Sequence, residues 1–134
     1  MHRVLLSSVI LATSLTFSSI ANAARPHFVG SPTCQVVGSQ LCCSGKVAGL
    51  GTAPTTVQVS ASFNCTNRGG NQPGGLASGQ SAPIQPQGGQ ITFGNVCTAG
   101  ANCPDQMTPS FGGSATINIF QNGNLVFSAT IPIQ

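Results

Sequence analysis

The sequence predicts an all-β fold, a disulfide-stapled antiparallel β-sandwich of about six to seven short strands that is Ig-like in size. Three observations support this prediction. One segment alternates strictly between apolar and polar residues, six cysteines occur in a short chain, and no segment after residue 23 keeps a helical period over three turns. Such a chain has to bury its apolar side chains between paired strands, and cross-links add stability to a small core.

The segment 1–23 has the three parts of a secretory signal peptide. Met1-His2-Arg3 is basic, residues 4–20 are apolar and uncharged, and Ala21-Asn22-Ala23 is a small-x-small cleavage pattern. The apolar run is marginal for a membrane span of about 20 residues and contains many hydroxyl side chains, so cleavage is preferred over anchoring. We therefore expect a secreted, extracellular chain, 24–134, that forms one domain and has no membrane span after cleavage.

The first predicted hairpin lies in the segment 33–47, which reads TCQVVGSQLCCSGKV. Gly38-Ser39 fits a two-residue turn with glycine first, and this register places Cys34 opposite Cys43. The pair then falls at a non-hydrogen-bonded position, where the two strands come closest, so a cross-strand disulfide is expected. Cys42 points to the other face of the hairpin and requires a different partner.

The strongest strand signal is the strict alternation over residues 56–65. Its apolar face consists of Val57, Val59, Ala61, Phe63 and Cys65. Its polar face consists of Thr56, Gln58, Ser60, Ser62 and Asn64. A shorter strand is predicted at 90–96, which reads QITFGNV. Both segments are expected to contribute one face to the core.

Residues 66–89 are predicted to form a long connection rich in glycine and proline, which starts within the stretch CTNRGGNQPGG. This stretch is not a P-loop, because no Lys-Ser or Lys-Thr pair and no helix follow the glycines. Loops this long without secondary structure are either functional or disordered, and we prefer a structural or mobile loop. If the loop binds a ligand, Arg68 is its possible site, as an anion anchor among glycine N–H groups.

The second predicted hairpin lies in 115–133 and turns around Asn122-Gly123. A two-residue turn there would set Ile117 opposite Ser128 and mix the two faces. We therefore expect a three-residue loop, 121–123, with a left-handed glycine. In this register the core-facing residues are Ala115, Ile117, Ile119, Leu125, Phe127 and Ala129.

The same register leaves Phe120 and Val126 on the face opposite the core, where they form a possible contact patch. Two scattered apolar residues on a surface are also common in proteins without such a role. The last strand, 125–131, is a candidate edge strand whose backbone could pair with a partner until Pro132, which has no N–H group to donate.

Charged and catalytic side chains are scarce in the mature chain. The charged residues are Arg25, Lys46, Arg68 and Asp105. Nucleic-acid binding and electrostatic membrane docking both require clustered cations, so neither is expected. With one histidine, His27, and one carboxylate, the chain cannot assemble paired carboxylates, a Ser-His-Asp triad on ordered elements, or a zinc or calcium site. We predict that it is not an enzyme and that it has no cofactor and no metal.

Four motifs together resemble a group of small secreted proteins seen in bacterial and fungal genomes. The motifs are CSGKVAGLG, an alternating strand that ends in CTNRGGNQPGG, CPDQM, and a late Asn-Gly hairpin. The loop of the group is usually closer to C-x-N-P-G-G-N, so this chain has the broader pattern C-x-N-x-G-G-N, with Arg68 in place of the proline. The resemblance covers most of the mature chain and implies secretion and a β fold, but no activity.

The resemblance also implies how the remaining cysteines pair. The usual cysteines of the group correspond to Cys34, Cys43, Cys65 and Cys103. Cys42 and Cys97 then form an added pair, so the implied pairing is Cys34–Cys43, Cys65–Cys103 and Cys42–Cys97. The alternative keeps Cys34–Cys43 and joins Cys97 to Cys103 and Cys42 to Cys65.

Two classes of function fit these properties. The first is a secreted, non-catalytic structural or interaction protein of the cell surface or extracellular matrix, which acts through self-association or a cell-surface partner. The alternative is a soluble extracellular binding module for carbohydrate or a small ligand, or a secreted effector or inhibitor. Trp and Tyr are absent, which removes the usual platforms for stacking against sugars and counts against a carbohydrate module.

Overall fold

The computed structural model describes residues 25–67, 69–104 and 106–134, and within these ranges it contains strands, turns and connections but no helix. The predicted signal peptide, 1–23, lies outside the described residues. The nine strands are β1 (His27–Phe28), β2 (Thr33–Val37), β3 (Gln40–Ala48), β4 (Thr55–Asn67), β5 (Gly70–Gln80), β6 (Ile91–Cys97), β7 (Thr108–Phe111), β8 (Ser114–Gln121) and β9 (Asn124–Pro132). The all-β prediction is confirmed.

The strands form two antiparallel sheets that pack face to face. In sheet A, β3 pairs with β1, β2 and β6. In sheet B the order is β5-β4-β8-β9, and β7 pairs with the end of β4 beyond β8. Apolar side chains from both sheets join in one buried cluster, in which Leu41 and Phe93 of sheet A pack with Val59 and Ile117 of sheet B. This is the sandwich expected from the sequence.

The alternation of β4 explains why this strand is the centre of sheet B. Its apolar positions 57, 59, 61, 63 and 65 are all buried, while none of the polar positions from 56 to 66 is. β4 therefore directs one face into the core and the other outwards, as predicted. Around Phe63 and Cys65, a second and smaller buried cluster includes Ala77 of β5 and Ala101.

The three disulfides join Cys34 to Cys43, Cys42 to Cys97, and Cys65 to Cys103. These are the bonds of the first of the two pairings considered above. The first hairpin has the expected register, with Cys34 directly opposite Cys43, and its turn places Gly38 in the left-handed region at φ 65°. Cys42 faces the other way and lies opposite Cys97 of the neighbouring strand β6.

The long loop predicted at 66–89 is wrong, because residues 70–80 form β5 and pair with β4 from Gln58 to Asn67. Gly74 allows this pairing because it has no side chain. A Cβ atom there would lie 2.5 Å from ring carbons of Phe63, which is too close for a real contact. The register shifts at this point, since Phe63 lies opposite Gly75 and Asn64 opposite Pro73. Glycine and proline are tolerated because β5 is an edge strand with a bulge.

The register predicted for the last hairpin is also wrong. The turn has two residues, Asn122 and Gly123, both left-handed with φ of 53° and 78°, as a type I′ turn requires. Pairing begins with Gln121 opposite Asn124 and Phe120 opposite Leu125, and it then shifts, so that Ile119 lies opposite Phe127. The extra residue, Val126, forms a bulge that restores the alternation of apolar residues towards the core.

Candidate functional site

Among the charged and titratable residues singled out in the sequence, the structure describes Arg25, His27 and Lys46, and all three are exposed. His27 is exposed on β1, where its Nδ1 lies 2.9 Å from the carbonyl oxygen of Arg25. Lys46 is exposed on β3 of sheet A. Arg68 and Asp105 lie outside the described residues. Within the described residues, no group of three or more His, Cys, Asp and Glu side chains is arranged to hold a metal ion.

The most ordered arrangement of polar groups is on the outer face of sheet B, the face turned away from the core. Two complete rows of uncharged side chains cross its four main strands. The first row consists of Gln80, Gln58, Asn118 and Ser128. The second row consists of Ser78, Ser60, Thr116 and Thr130. Neighbours in a row are about 4.8 Å apart and the two rows about 7 Å apart, as strand spacing and rise dictate.

Hydrogen bonds fix the orientation of two amides in the first row, those of Asn118 and Gln58. The Ser128 hydroxyl donates to Asn118 Oδ1 at 2.6 Å, so the amide nitrogen of Asn118 points the other way. That nitrogen donates to Gln58 Oε1 at 3.3 Å. Within the described residues, the amide nitrogen of Gln58 then has no protein acceptor, and its N–H groups are available to a ligand or to water.

A cleft of about 290 Å³ opens at the end of the first row. Its lining residues are Pro54, Thr56, Gln58, Gln80, Phe120, Asn122 and Gly123. The cleft combines three side-chain amides and a hydroxyl with one aromatic ring, and its rim is the left-handed turn of the last hairpin. None of its lining residues carries a charge, so any ligand held there is recognised by hydrogen bonds and apolar contact.

The expected contact patch of Phe120 and Val126 has to be corrected. Because Val126 is the bulged residue, it turns inwards and packs against the core cluster. The apolar neighbour of Phe120 on the outer face is instead Leu125, which lies directly opposite it and is 54% exposed. The expectation that Leu125 faces the core is therefore wrong, and the two-residue turn is the reason.

A second depression of about 310 Å³ lies at the opposite end of β4. It is lined by Asn67, Gly69, Gly70, Gln72 and Met107. Here Asn67 Oδ1 accepts the N–H of Gly69 at 2.8 Å, and the Gln72 amide donates to the sulfur of Met107 at 3.1 Å. Asn67 Oδ1 and the Gln72 amide nitrogen are thus engaged within the depression.

Sequence reasoning identifies only part of this site. The polar face of β4, with Thr56 and Gln58, is visible in the alternation of the sequence. Gln80 could not be predicted as part of the site, because the composition of β5 indicates a loop. Nothing in the sequence singles out Asn118. Their role depends on the registers of β5 and β8 against β4, for which the sequence contains no local signal.

No protein-family model and no curated protein matches the sequence. Among solved structures, the chain is similar to the Pseudomonas fluorescens alkylpurine DNA glycosylase AlkC bound to DNA containing an abasic site analog, with a TM-score of 0.36 and 15% sequence identity. The match covers 87% of this chain and 32% of that chain, so this chain spans about a third of the length of the glycosylase. A likeness this low carries no argument about fold or function.

Proposed function

We propose that the protein is an exported, non-catalytic structural or interaction protein of the cell surface or extracellular matrix. The observation that carries this proposal is the exposed last hairpin. β9 is the final strand of its sheet, and along 125–131 no described strand pairs with its outer edge. Unpaired N–H and C=O groups on such an edge are available to a second strand. Leu125 and Phe120 lie beside this edge and add apolar surface.

The residue inventory supports a non-catalytic role. His27 and Lys46 lie on sheet A and do not line the uncharged cleft, and the outer face of sheet B presents amides and hydroxyls without a described base or acid to activate them. General acid–base and nucleophilic catalysis both need such a partner within hydrogen-bond reach. We therefore expect this face to make contacts and not to catalyse a reaction.

Export is supported by the three disulfides, because structural disulfides persist in oxidising, extracytoplasmic environments. Within the described residues, the structure also contains no helical segment with the length and apolarity that crossing a membrane requires. We expect the exported protein to begin at Ala24, and intact-mass analysis of the culture supernatant checks this. A soluble cytoplasmic form that retains Met1 would contradict export.

The size of the hairpin contact can be estimated from its apolar area. Burial of side chains like Phe120 and Leu125 contributes a few kcal/mol at about 25 cal/mol per Å². The entropic cost of association offsets most of this gain. The apolar pair therefore assists association, while backbone pairing along β9 and the length of the contact provide the rest.

We expect the double change Phe120→Ser and Leu125→Ser to reduce self-association or cell-surface retention, because it removes the apolar surface beside the β9 edge. Sedimentation velocity and the fraction retained on washed cells measure the effect. Leu76→Ser is the matched control: Leu76 is 70% exposed on β5, opposite Ser62 and away from the hairpin. Wild-type behaviour of the double variant in both assays would remove the support for this contact.

The cleft on the outer face favours a second candidate function, a soluble binding module. Its volume of about 290 Å³ lies just below the range of about 300–1,000 Å³ that ligand pockets occupy. Hydrogen bonds among Gln58, Asn118 and Ser128 orient the free N–H groups of Gln58 before any ligand binds. Part of the site is therefore formed in advance. A protein that stays monomeric and is not retained on cells would favour this function.

A further inference from the structure

We propose that the cleft and the two polar rows of sheet B bind a chain of uncharged sugar units, that is, a neutral polysaccharide. This inference rests on the second of the two functions above, the binding module, and names the class of its ligand. It is carried by three properties of the outer face: its lack of charge, the hydrogen-bonding groups that it presents, and its extended shape.

The lack of charge selects an uncharged ligand. The described cations are Arg25, which precedes β1, and Lys46 on β3, and neither lines the cleft or belongs to the two polar rows. A ligand with ionised groups would lose hydration at the cleft without gaining an ion pair.

The hydrogen-bonding groups select a ligand rich in hydroxyls. Amides and hydroxyls both donate and accept, as sugar hydroxyls do. Gln80 makes no side-chain hydrogen bond within the described residues, and the amide nitrogen of Gln58 is free in the same sense. A purely apolar ligand would leave these amides unpaired, which is unfavourable. The ring of Phe120 provides the apolar surface that the C–H face of a sugar requires.

The shape selects a chain over a single small molecule. The cleft admits a unit of limited size, and the rows continue from it across four strands without an interruption by charge or by a large side chain. Successive units of a polymer can therefore contact successive rows, which raises the total affinity although each contact is weak. This compensates for the absence of Trp and Tyr, whose stacking usually dominates sugar binding.

Retention by insoluble cellulose, chitin and β-1,3-glucan tests the ligand class, with polygalacturonate and chitosan beads as charged comparators. We expect the protein to be retained by at least one of the neutral polymers and by neither charged one. Retention is expected to be the same between about 0.01 and 1 M salt, because no ion pair contributes to be screened. Failure to bind any neutral polymer, or retention that falls with salt, would overturn the inference.

The location of the site is tested by removing its amides. The double change Gln58→Ala and Gln80→Ala is expected to weaken binding about tenfold, which corresponds to two lost hydrogen bonds between neutral groups. Gln35→Ala with Gln87→Ala is the matched control, since both amides are exposed and away from sheet B's outer face. Gln80→Ala alone breaks no described hydrogen bond, so this single variant can be used if the double variant is unstable. It should weaken binding about threefold.

The outcomes separate this inference from the functions on which it rests. Equal binding by the cleft variants and the control would overturn the site. Binding to a charged polymer or to an uncharged small molecule alone would overturn the ligand class and leave the binding module in place. Loss of cell-surface retention in the Phe120 and Leu125 variant, without any binding to neutral polymers, would overturn the inference and leave the hairpin contact standing.

Discussion

Replacement of both Cys42 and Cys97 by alanine is expected to lower the free energy of unfolding by about 4 kcal/mol. The bond joins residues with a sequence separation of 55, so it restrains a long segment of the unfolded chain. It also connects β3 to β6 at a point where the two residues lie directly opposite each other. A loss of this size is a large part of the total stability of about 5–15 kcal/mol that small domains have.

The position of the Cys42–Cys97 bond adds a local effect to the entropic one. The segment that follows it is held to the first hairpin by hydrogen bonds from Thr98 N–H to Leu41 O at 2.9 Å and from Ala101 N–H to Ser39 O at 2.8 Å. Leu41 N–H in turn donates to the buried Thr98 hydroxyl at 3.1 Å. Without the disulfide, the end of β6 is held only by hydrogen bonds of this kind and by its pairing with β3.

Urea unfolding of the wild type and the double variant measures the effect, once with the disulfides intact and once after full reduction. The difference of about 4 kcal/mol should appear in the oxidised proteins and nearly vanish after reduction, because the wild type then lacks the same bond. A difference that persists unchanged in the reduced proteins would show that the two side chains act through packing, and that the cross-link contributes little.

The elements predicted correctly from the sequence are those in which one strand carries its own signal. β4 is predictable because the positions of Val57, Val59 and Phe63 alternate with polar residues, and period two is a property of the strand itself. The first hairpin is predictable because one turn and two cysteines agree on the same register. Local propensity and tertiary pairing point to the same answer in both cases.

The errors arise where pairing decides against local composition. β5 contains four glycines and one proline, which normally exclude a strand, but the edge position and the bulge beside Phe63 remove the usual cost. The register of β9 depends on the bulge at Val126. A comparison of the two faces of the hairpin assumes that its strands pair without a bulge, so it cannot detect this one. The cleft is hidden for the same reasons, since it needs β5 to supply Gln80 and the true turn to place Asn122 and Gly123 at its rim.

The change Gly79→Ala is expected to lower the free energy of unfolding by about 3 kcal/mol, at the upper end of the usual cost of overpacking. A Cβ atom on Gly79 would lie 2.2 Å from the carbonyl oxygen of Cys97 and 3.0 Å from the Cα of Thr98. Both are backbone atoms, so no side-chain rotation relieves the contact. The Cys97 backbone is also held by its disulfide, and β5 is tied to the same segment by Ala99 N–H to Ser78 O at 3.0 Å.

Gly94→Ala is the matched control for this change. Gly94 lies in β6, a Cβ atom there would have no neighbour within 4 Å, and its φ is not in the left-handed region. Its replacement is expected to leave stability unchanged or to raise it by about 0.5 kcal/mol, because alanine restricts the unfolded chain. Urea unfolding of both variants against the wild type separates the loss of a close backbone contact from the general effect of replacing a strand glycine.

The Gly79→Ala result also bears on the cleft, because the next residue, Gln80, forms part of its wall. If β5 is pushed away from residues 97–98, Gln80 moves with it, and binding to a neutral polysaccharide should weaken together with stability. Stability equal to that of the wild type would mean that β5 does not approach this backbone closely. In that case the pairing of β5 with β4, which places Gln80 opposite Gln58, would be undisturbed, and binding to a neutral polysaccharide should stay unchanged.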